Sequence, residues 1–220
     1  MRLYNYVKIY GNYTKSEIRQ LNLNNSILVN NEKKSLLYPL KDNDIVTINN
    51  KIIYEKKLVY YLYYKPKGIL STINNDPSSY IHHINIKEKV MPAGRLDKDS
   101  EGLLLLTNDG KYINLICNPK THFEKEYIVT LENKVTNDFL KNVGNSIILD
   151  NRTTKEIIVS YIDEYNIKMI LTEGIYHQIR RTVKLYNNKV SNLKRIRIGN
   201  YCLNDMKEGD IIKISPSINQ

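Results

Sequence analysis

GRLDKDSEGLLLLTNDG, residues 94–110, sets three carboxylates, Asp97, Asp99 and Glu101, beside a glycine and directly before a wholly apolar run. Four leucines bounded by turn residues make a strand-length segment. A carboxylate placed against such a wall either neutralises or acquires a cation. On residues alone the segment is a turn whose carboxylates face water and cap a strand, a two-carboxylate site of glycosidase type, or an anion held by a cation. Outward from it, apolar runs alternate with short polar breaks from Leu58 on: LVYYLYY, GILST, LLLLT, EYIVTL, EIIVSYI, IKMILT, RIRIGNY and DIIKI. These runs are rich in Ile, Val and Tyr, the composition of strands. One predicted helix opens near Asn108-Asp109 and runs through Ile113 and Ile116, and a second spans Tyr176–Leu185. A third runs from Thr136 as N-cap to Gly144 as stop. Many strands with few helices between them predict an α+β domain with a mixed, mainly antiparallel sheet.

Residues 1–55 read as a small unit of their own, ahead of a domain over 56–220, with Lys56-Lys57 as the linker. Leu3, Tyr6, Val7 and Tyr10 form the stripe of a short amphipathic helix stopped by Gly11. Thr14 stands three residues before Glu17, a capping box that opens a second helix carrying Lys15 and Arg19. Strand-like SILVNN and DIVTINNKIIY follow, with Asn49-Asn50 as a tight turn.

Charge narrows the function. Lys and Arg outnumber Asp and Glu by 33 to 23, for a net charge of +10 and a pI near 9.3. Such a chain attracts polyanions. Residues 1–57 hold 10 of the cations and 5 of the anions, so about a quarter of the chain carries half the excess. From Gly174 to Asn204 there are seven Lys or Arg and no acid, the pattern of a phosphate-binding stripe. No apolar run is long enough to span a bilayer, and MRLYNYVKIYG lacks the apolar core of a secretory signal. Cys117 and Cys202 read as ordinary reduced cysteines, and adjacent His82 and His83 fit no zinc spacing, so no metal is expected.

The pattern G-R-L-D-x-x-S-x-G-L followed by L-T-N-D-G resembles the signature loop of the pseudouridine synthases, in the branch containing RsuA, RluB, RluE and RluF. The resemblance implies that Asp97 is the essential carboxylate and that Arg95 fills the gap left by an extruded base. KEYIVTL matches the K-x-Y block as Lys125 and Tyr127, the tyrosine packing on the target uracil. EGIYHQIRRTV matches H-Q-I-R-R, with His177, Gln178 and Arg181 near substrate and Arg180 paired with the catalytic aspartate. YKPKGIL resembles the entry motif N-K-P-K-G, giving Lys65 and Lys67 as RNA contacts, with Tyr64 where Asn is usual. LKRIRIGNYCL resembles the last core strand, so the similarity covers residues 58–215. Ile175 stands where the family has Arg.

RLYNYV, TKSEIRQL, ILVNN and DNDIVTI resemble, in order, the alpha-L RNA-binding domain of ribosomal-protein S-four type, which implies RNA contact through Lys15 and Arg19. Tyr4-Asn5 replaces its usual Asp-Lys, and Lys15-Ser16 its doubly basic helix start. The wording FEKEYIVTL and RLDKDS is closest to the RluF group, which implies large-subunit ribosomal RNA as substrate, ahead of small-subunit RNA or transfer RNA. The expectation is thus a cytoplasmic, monomeric, cofactor-free isomerase. It would extrude a uridine of ribosomal RNA, free or in a pre-ribosomal particle, and rejoin the base through C5. A non-catalytic RNA-binding assembly factor on the same fold is the alternative.

Overall fold

The computed structural model describes residues 1–11, 13–55 and 57–216. The chain divides into two compact units, the first ending at Lys57 and the second beginning at Leu58; Lys56, half of the expected linker, lies outside the described residues. Among the described residues no helix is long and apolar enough to cross a membrane.

The first unit comprises helices α1 (Leu3–Tyr10) and α2 (Lys15–Leu23) and an antiparallel sheet of β1 (Ile27–Val29), β2 (Val46–Ile48) and β3 (Lys51–Ile53). The capping box forms: Glu17 N–H donates to Thr14 Oγ1 at 3.3 Å and Thr14 N–H to Glu17 Oε2 at 2.7 Å. Asn49 and Asn50 turn β2 into β3 with φ of 49° and 61°, left-handed values that match a hairpin's twist. Leu3, Val7 and Ile18 bury against Ile27, Val29, Val46 and Ile48, which makes the apolar stripe of α1 the floor of this small core.

The second unit is built on β4 (Tyr60–Lys65), β5 (Met91–Pro92), β6 (Glu101–Thr107), β7 (Lys125–Leu131), the hairpin β8 (Ile148–Leu149) and β9 (Arg152–Thr153), β10 (Ile158–Tyr161), β11 (Asn166–Leu171), β12 (Val190–Ile198), β13 (Tyr201–Cys202) and β14 (Ile211–Ile214). Its main sheet runs β10-β11-β7-β12-β6-β4-β14, with β13 on β12 and β5 on β6. Every pairing in it is antiparallel except β12 with β6. All seven residues of β6 are buried because both faces of this strand are covered. Leu103 and Leu105 pack with helix α3 (Gly110–Cys117), while Leu104 and Leu106 pack with Val59, Tyr61, Tyr63 and Tyr80 on the other side. Helices α4 (Asn137–Asn142) and α5 (Gln178–Leu185) supply Phe139, Ile179 and Val183 to a separate core over β7, β11 and β12.

Asp109 caps α3, accepting from the Lys111 and Tyr112 amides, and Thr136 caps α4. GILST does not form the expected strand. Gly68 takes φ +81°, and the segment makes one isolated bridge, Leu70 to Ser79. Helix α5 starts at Gln178 rather than Tyr176, because His177 takes a left-handed φ of 50° and turns the chain into the helix.

Candidate active site

The parallel pairing of β12 with β6 decides where the signature loop lies. Lys194 and Arg195 pair with Glu101 and Gly102, which brings the loop ahead of β6 over the middle of β12. Gly102 has φ +106°, and a Cβ there would sit 2.8 Å from the Arg195 amide nitrogen and closer still to its carbonyl oxygen. Glycine alone permits that approach.

Residues 94–100 are held from several sides. Arg195 is 1% exposed and donates through Nε to Leu103 O at 2.7 Å, through Nη2 to Gly94 O at 2.9 Å and through Nη1 to Arg95 O at 3.4 Å. Ser71 clasps Leu96 both ways, its hydroxyl donating to Leu96 O at 2.8 Å and accepting from Leu96 N–H at 3.1 Å. Arg180 donates to Asp99 O at 3.1 Å and Ser100 Oγ at 3.3 Å. The backbone carrying Asp97 is therefore fixed before any substrate arrives, the condition for precise positioning.

Asp97 opens on a cavity of about 700 Å³ whose wall includes Arg95, Lys125, Tyr127, His177, Arg180 and Arg195. The Asp97 side chain is 33% exposed, so it stands at a boundary and is not deeply buried. The neighbour facing it is His177, with Nε2 3.5 Å from Oδ1. The expected Arg180–Asp97 ion pair does not form, because the guanidinium is spent on the backbone and hydroxyl of residues 99 and 100. Tyr127 projects from β7 two residues after Lys125, so both lie on one face of the strand and both line the cavity.

Glu101 is excluded from this chemistry. It is outside the cavity wall and accepts from Tyr64 OH at 2.6 Å and Asn192 Nδ2 at 2.7 Å. Burial raises its pKa, but the Tyr64 and Asn192 hydrogen bonds and the Lys194 and Lys67 charges outweigh that and hold the carboxyl below its ordinary value. An anion so held is no general acid, which removes the glycosidase pairing with Asp97. It also gives Tyr64, in place of the usual Asn, a definite partner.

Several expected RNA contacts turn inward. Lys65 is 0% exposed and donates to Pro66 O and Ile69 O, both at 2.8 Å, tying its own loop together. Gln178 is buried and bonds to Glu173 Oε1 at 2.6 Å, holding the 173–178 turn. Arg181 is forked onto Asp150 at 2.8 and 2.9 Å. Lys125 is buried, its Nζ donating to Phe123 O at 3.1 Å. Burial and the nearby Arg195 push both Lys65 and Lys125 down to about 8. The 174–204 stripe is partly neutralised as well: besides Arg181, Lys189 pairs with Glu132 and Arg197 with Glu124 and Glu126, while Lys194 lies 4.9 Å over the Tyr64 ring. Arg95, Lys67 and Lys184 remain exposed in this unit, and Lys15 and Arg19 are exposed in the first. The sequence alone does not mark Arg195 and Ser71 as site residues; the one signal is an arginine within a strand that also carries core residues.

A family model described as RNA pseudouridylate synthase matches residues 59–185, more than half of the chain. The chain belongs to that family. It is thus an RNA pseudouridine synthase, an isomerase on the mixed, mainly antiparallel α+β fold expected. This synthase is 34% identical over 214 residues to an RNA pseudouridine synthase of Aquifex aeolicus, covering 94% of this chain and 90% of that protein. It is 30% identical to the dual-specificity RNA pseudouridine synthase RluF of Shigella flexneri, over 96% of this chain and 74% of that one. It is also 30% identical to ribosomal small subunit pseudouridine synthase A of Pasteurella multocida, over 98% and 96%. A crystal structure of a pseudouridylate synthase superposes with a TM-score of 0.70 at 28% identity, covering 98% of this chain and 96% of that one.

Proposed function

We propose that this synthase isomerises a uridine of ribosomal RNA, with large-subunit RNA as its substrate, and that Asp97 is the carboxylate that does the chemistry. One observation carries the assignment to Asp97. Two carboxylates line the cavity: Glu173 is tied through Oε1, which accepts from both the Gln178 side chain and the Lys155 amide, whereas the Asp97 side chain is one-third exposed with His177 facing it.

In this reading the target nucleotide is drawn out of its helix, at a cost of a few kcal/mol that Arg95 at the exposed rim offsets by filling the vacancy. The uracil stacks on Tyr127, a contact of roughly 1–3 kcal/mol. Asp97 acts on the ribose, as nucleophile on C1′ or as base toward the 2′ proton. His177 stands beside it, Nε2 3.5 Å from Oδ1. Arg180 positions the loop. The first unit, by its S-four-like order of elements, adds RNA contact through Lys15 and Arg19, which share one helix face.

Large-subunit RNA is favoured by the RluF-like wording of residues 95–100 and 123–131. Small-subunit RNA is the second reading, favoured by the Pasteurella relative matched over nearly its whole length. The test maps pseudouridines in ribosomal and transfer RNA from cells with and without the gene, complemented by wild type and by Asp97→Asn. Loss of one large-subunit site, restored by wild type alone, supports the proposal, and loss of a small-subunit site selects the second reading. Purified Asp97→Asn should make no pseudouridine yet bind RNA within a few-fold of wild type. Activity in that variant overturns the assignment.

A further inference from the structure

Lys125 is a cation without a counter-anion. It is 7% exposed, it lines the cavity, and among the described residues no carboxylate forms an ion pair with it. An ammonium has three donors, and Phe123 O accepts from one. The groups facing it are the Arg195 guanidinium from β12 and the Cys117 thiol at the end of α3. At Gly94 a Cβ would sit 3.8 Å from Lys125 Cε and 3.9 Å from Arg195 Nη1, so two cations converge directly under the signature loop. Arg195 gives three of its five donors to carbonyls and Arg180 three of its five to residues 99, 100 and 190, so both guanidinia are fastened to the loop and strands, whereas Lys125 is held by one bond. Arg95 and Lys98 line the cavity too but are exposed, so among its lysines Lys125 is the buried one, with two donors unspent. A buried charge left unpaired is costly, and its ammonium is correspondingly pushed down to about 8.

We propose that Lys125 holds the uracil while it is detached from the ribose, its ammonium donating to a carbonyl oxygen of the base stacked on Tyr127. This rests on the Asp97 reading and deepens it. Lys125 and Tyr127 lie about 6.6 Å apart along one strand face, so a base lying on the ring turns an edge to the ammonium. As the bond from C1′ to N1 breaks, its electron pair stays with the uracil and spreads over N1 and both carbonyl oxygens. C1′ is left electron-poor and is relieved by Asp97 as nucleophile or by loss of the 2′ proton to Asp97. Rebonding through C5 returns an electron pair to C1′ as the Asp97 carboxylate leaves it, or as C2′ takes its proton back from Asp97; C5 then gives up its proton, and N1 takes one. Lys125 transfers no proton and stabilises charge only while the base is free. Such a contact in a dry site strengthens as charge develops, which is the condition for raising the rate without raising affinity.

The test is single-turnover pseudouridine formation by the full-length enzyme on ribosomal RNA from a gene-deleted strain, with RNA affinity measured alongside. Lys125→Met should slow the reaction about 100-fold or more, the usual loss for one oxyanion-directed donor, while Kd stays within twofold. Lys125→Arg should recover at least tenfold of that loss. A Lys125→Met rate within threefold of wild type overturns the proposal, and so does weakened affinity at an unchanged rate, which marks a phosphate contact. Should Lys125→Met fail to fold, the wild-type enzyme still decides. RNA carrying 2-thiouridine or 4-thiouridine at the target replaces a carbonyl oxygen by the poorer acceptor sulfur. At least one should react tenfold or more slowly, and the proposal fails if neither does. A full-rate Lys125→Met beside an inactive Asp97→Asn would sink this role and leave the Asp97 reading standing.

Discussion

Arg195→Met tests whether the signature loop is held from beneath by one buried fork. The substitution keeps the apolar stem and removes the donors to Leu103 O at 2.7 Å and Gly94 O at 2.9 Å, with the longer bond to Arg95 O at 3.4 Å. Each buried carbonyl stripped of its donor costs about 1–3 kcal/mol, so the two short bonds set a loss of roughly 2–6 kcal/mol. Removing the guanidinium also relieves Lys65 and Lys125, whose pKa values it helps to depress, which brings the expected loss to about 3 kcal/mol. Amide exchange in β6 and β12 against urea measures it within the second unit alone, without the unfolding of residues 1–57. Activity should fall further than stability. With Gly94 and Arg95 released, Asp97 is no longer fixed, and a displacement near 1 Å costs on the order of 100-fold. Arg195→Lys should recover little, since a single ammonium is not a planar fork. A loss below about 1 kcal/mol in Arg195→Met, with the rate unchanged, would refute the argument.

Gly102→Ala should be among the most damaging single-methyl changes in the chain. The φ of +106° and the overlap with the Arg195 backbone force β6 and β12 apart, and a urea midpoint at or near the wild-type value would contradict that geometry. Stability should also depend on pH through the two buried lysines, held near 8 against an ordinary 10.5. Below 8 both states carry the protons and the fold bears the full penalty. Between about 8 and 10.5 the unfolded chain binds protons that the folded one has released, so stability rises with pH, by at most about 1.4 kcal/mol per unit for each lysine. Comparing urea midpoints of wild type, Lys65→Met and Lys125→Met at pH 7 and 9.5 should show wild type gaining on each variant. An unchanged gap would mean the lysines are not desolvated as described.

Local chemistry was legible in the sequence because its causes are local. Thr14 with Glu17, Asp109 and Thr136 announced helix starts that the structure realises, and Asn49-Asn50 announced the hairpin. The leucine run reads as a strand, and its burial on both faces explains why it shows no alternation. The GILST segment does not pair as a strand: Gly68 takes φ +81°, and Ser71 is bonded to Leu96, 25 residues on, a contact no local pattern shows. The hairpin at 148–153 went unread because two residues per strand leave no periodicity to detect.

The sequence by itself determined the family, the fold class and the choice of Asp97 as the residue to watch, since a long motif in order and an alternation of apolar runs need no coordinates. Folding decided which cations remain available. Seven basic residues without an acid, read along the chain, are a phosphate stripe; in three dimensions Glu124, Glu126, Glu132 and Asp150 arrive from elsewhere and pair with three of them, Arg181, Lys189 and Arg197. The same folding buries Lys65 and Arg195 as ties and leaves Lys125 charged and unmatched at the cavity wall. Electrostatic pairing acts over a few ångströms of space whatever the separation in sequence, so no reading of spacing could have assigned it.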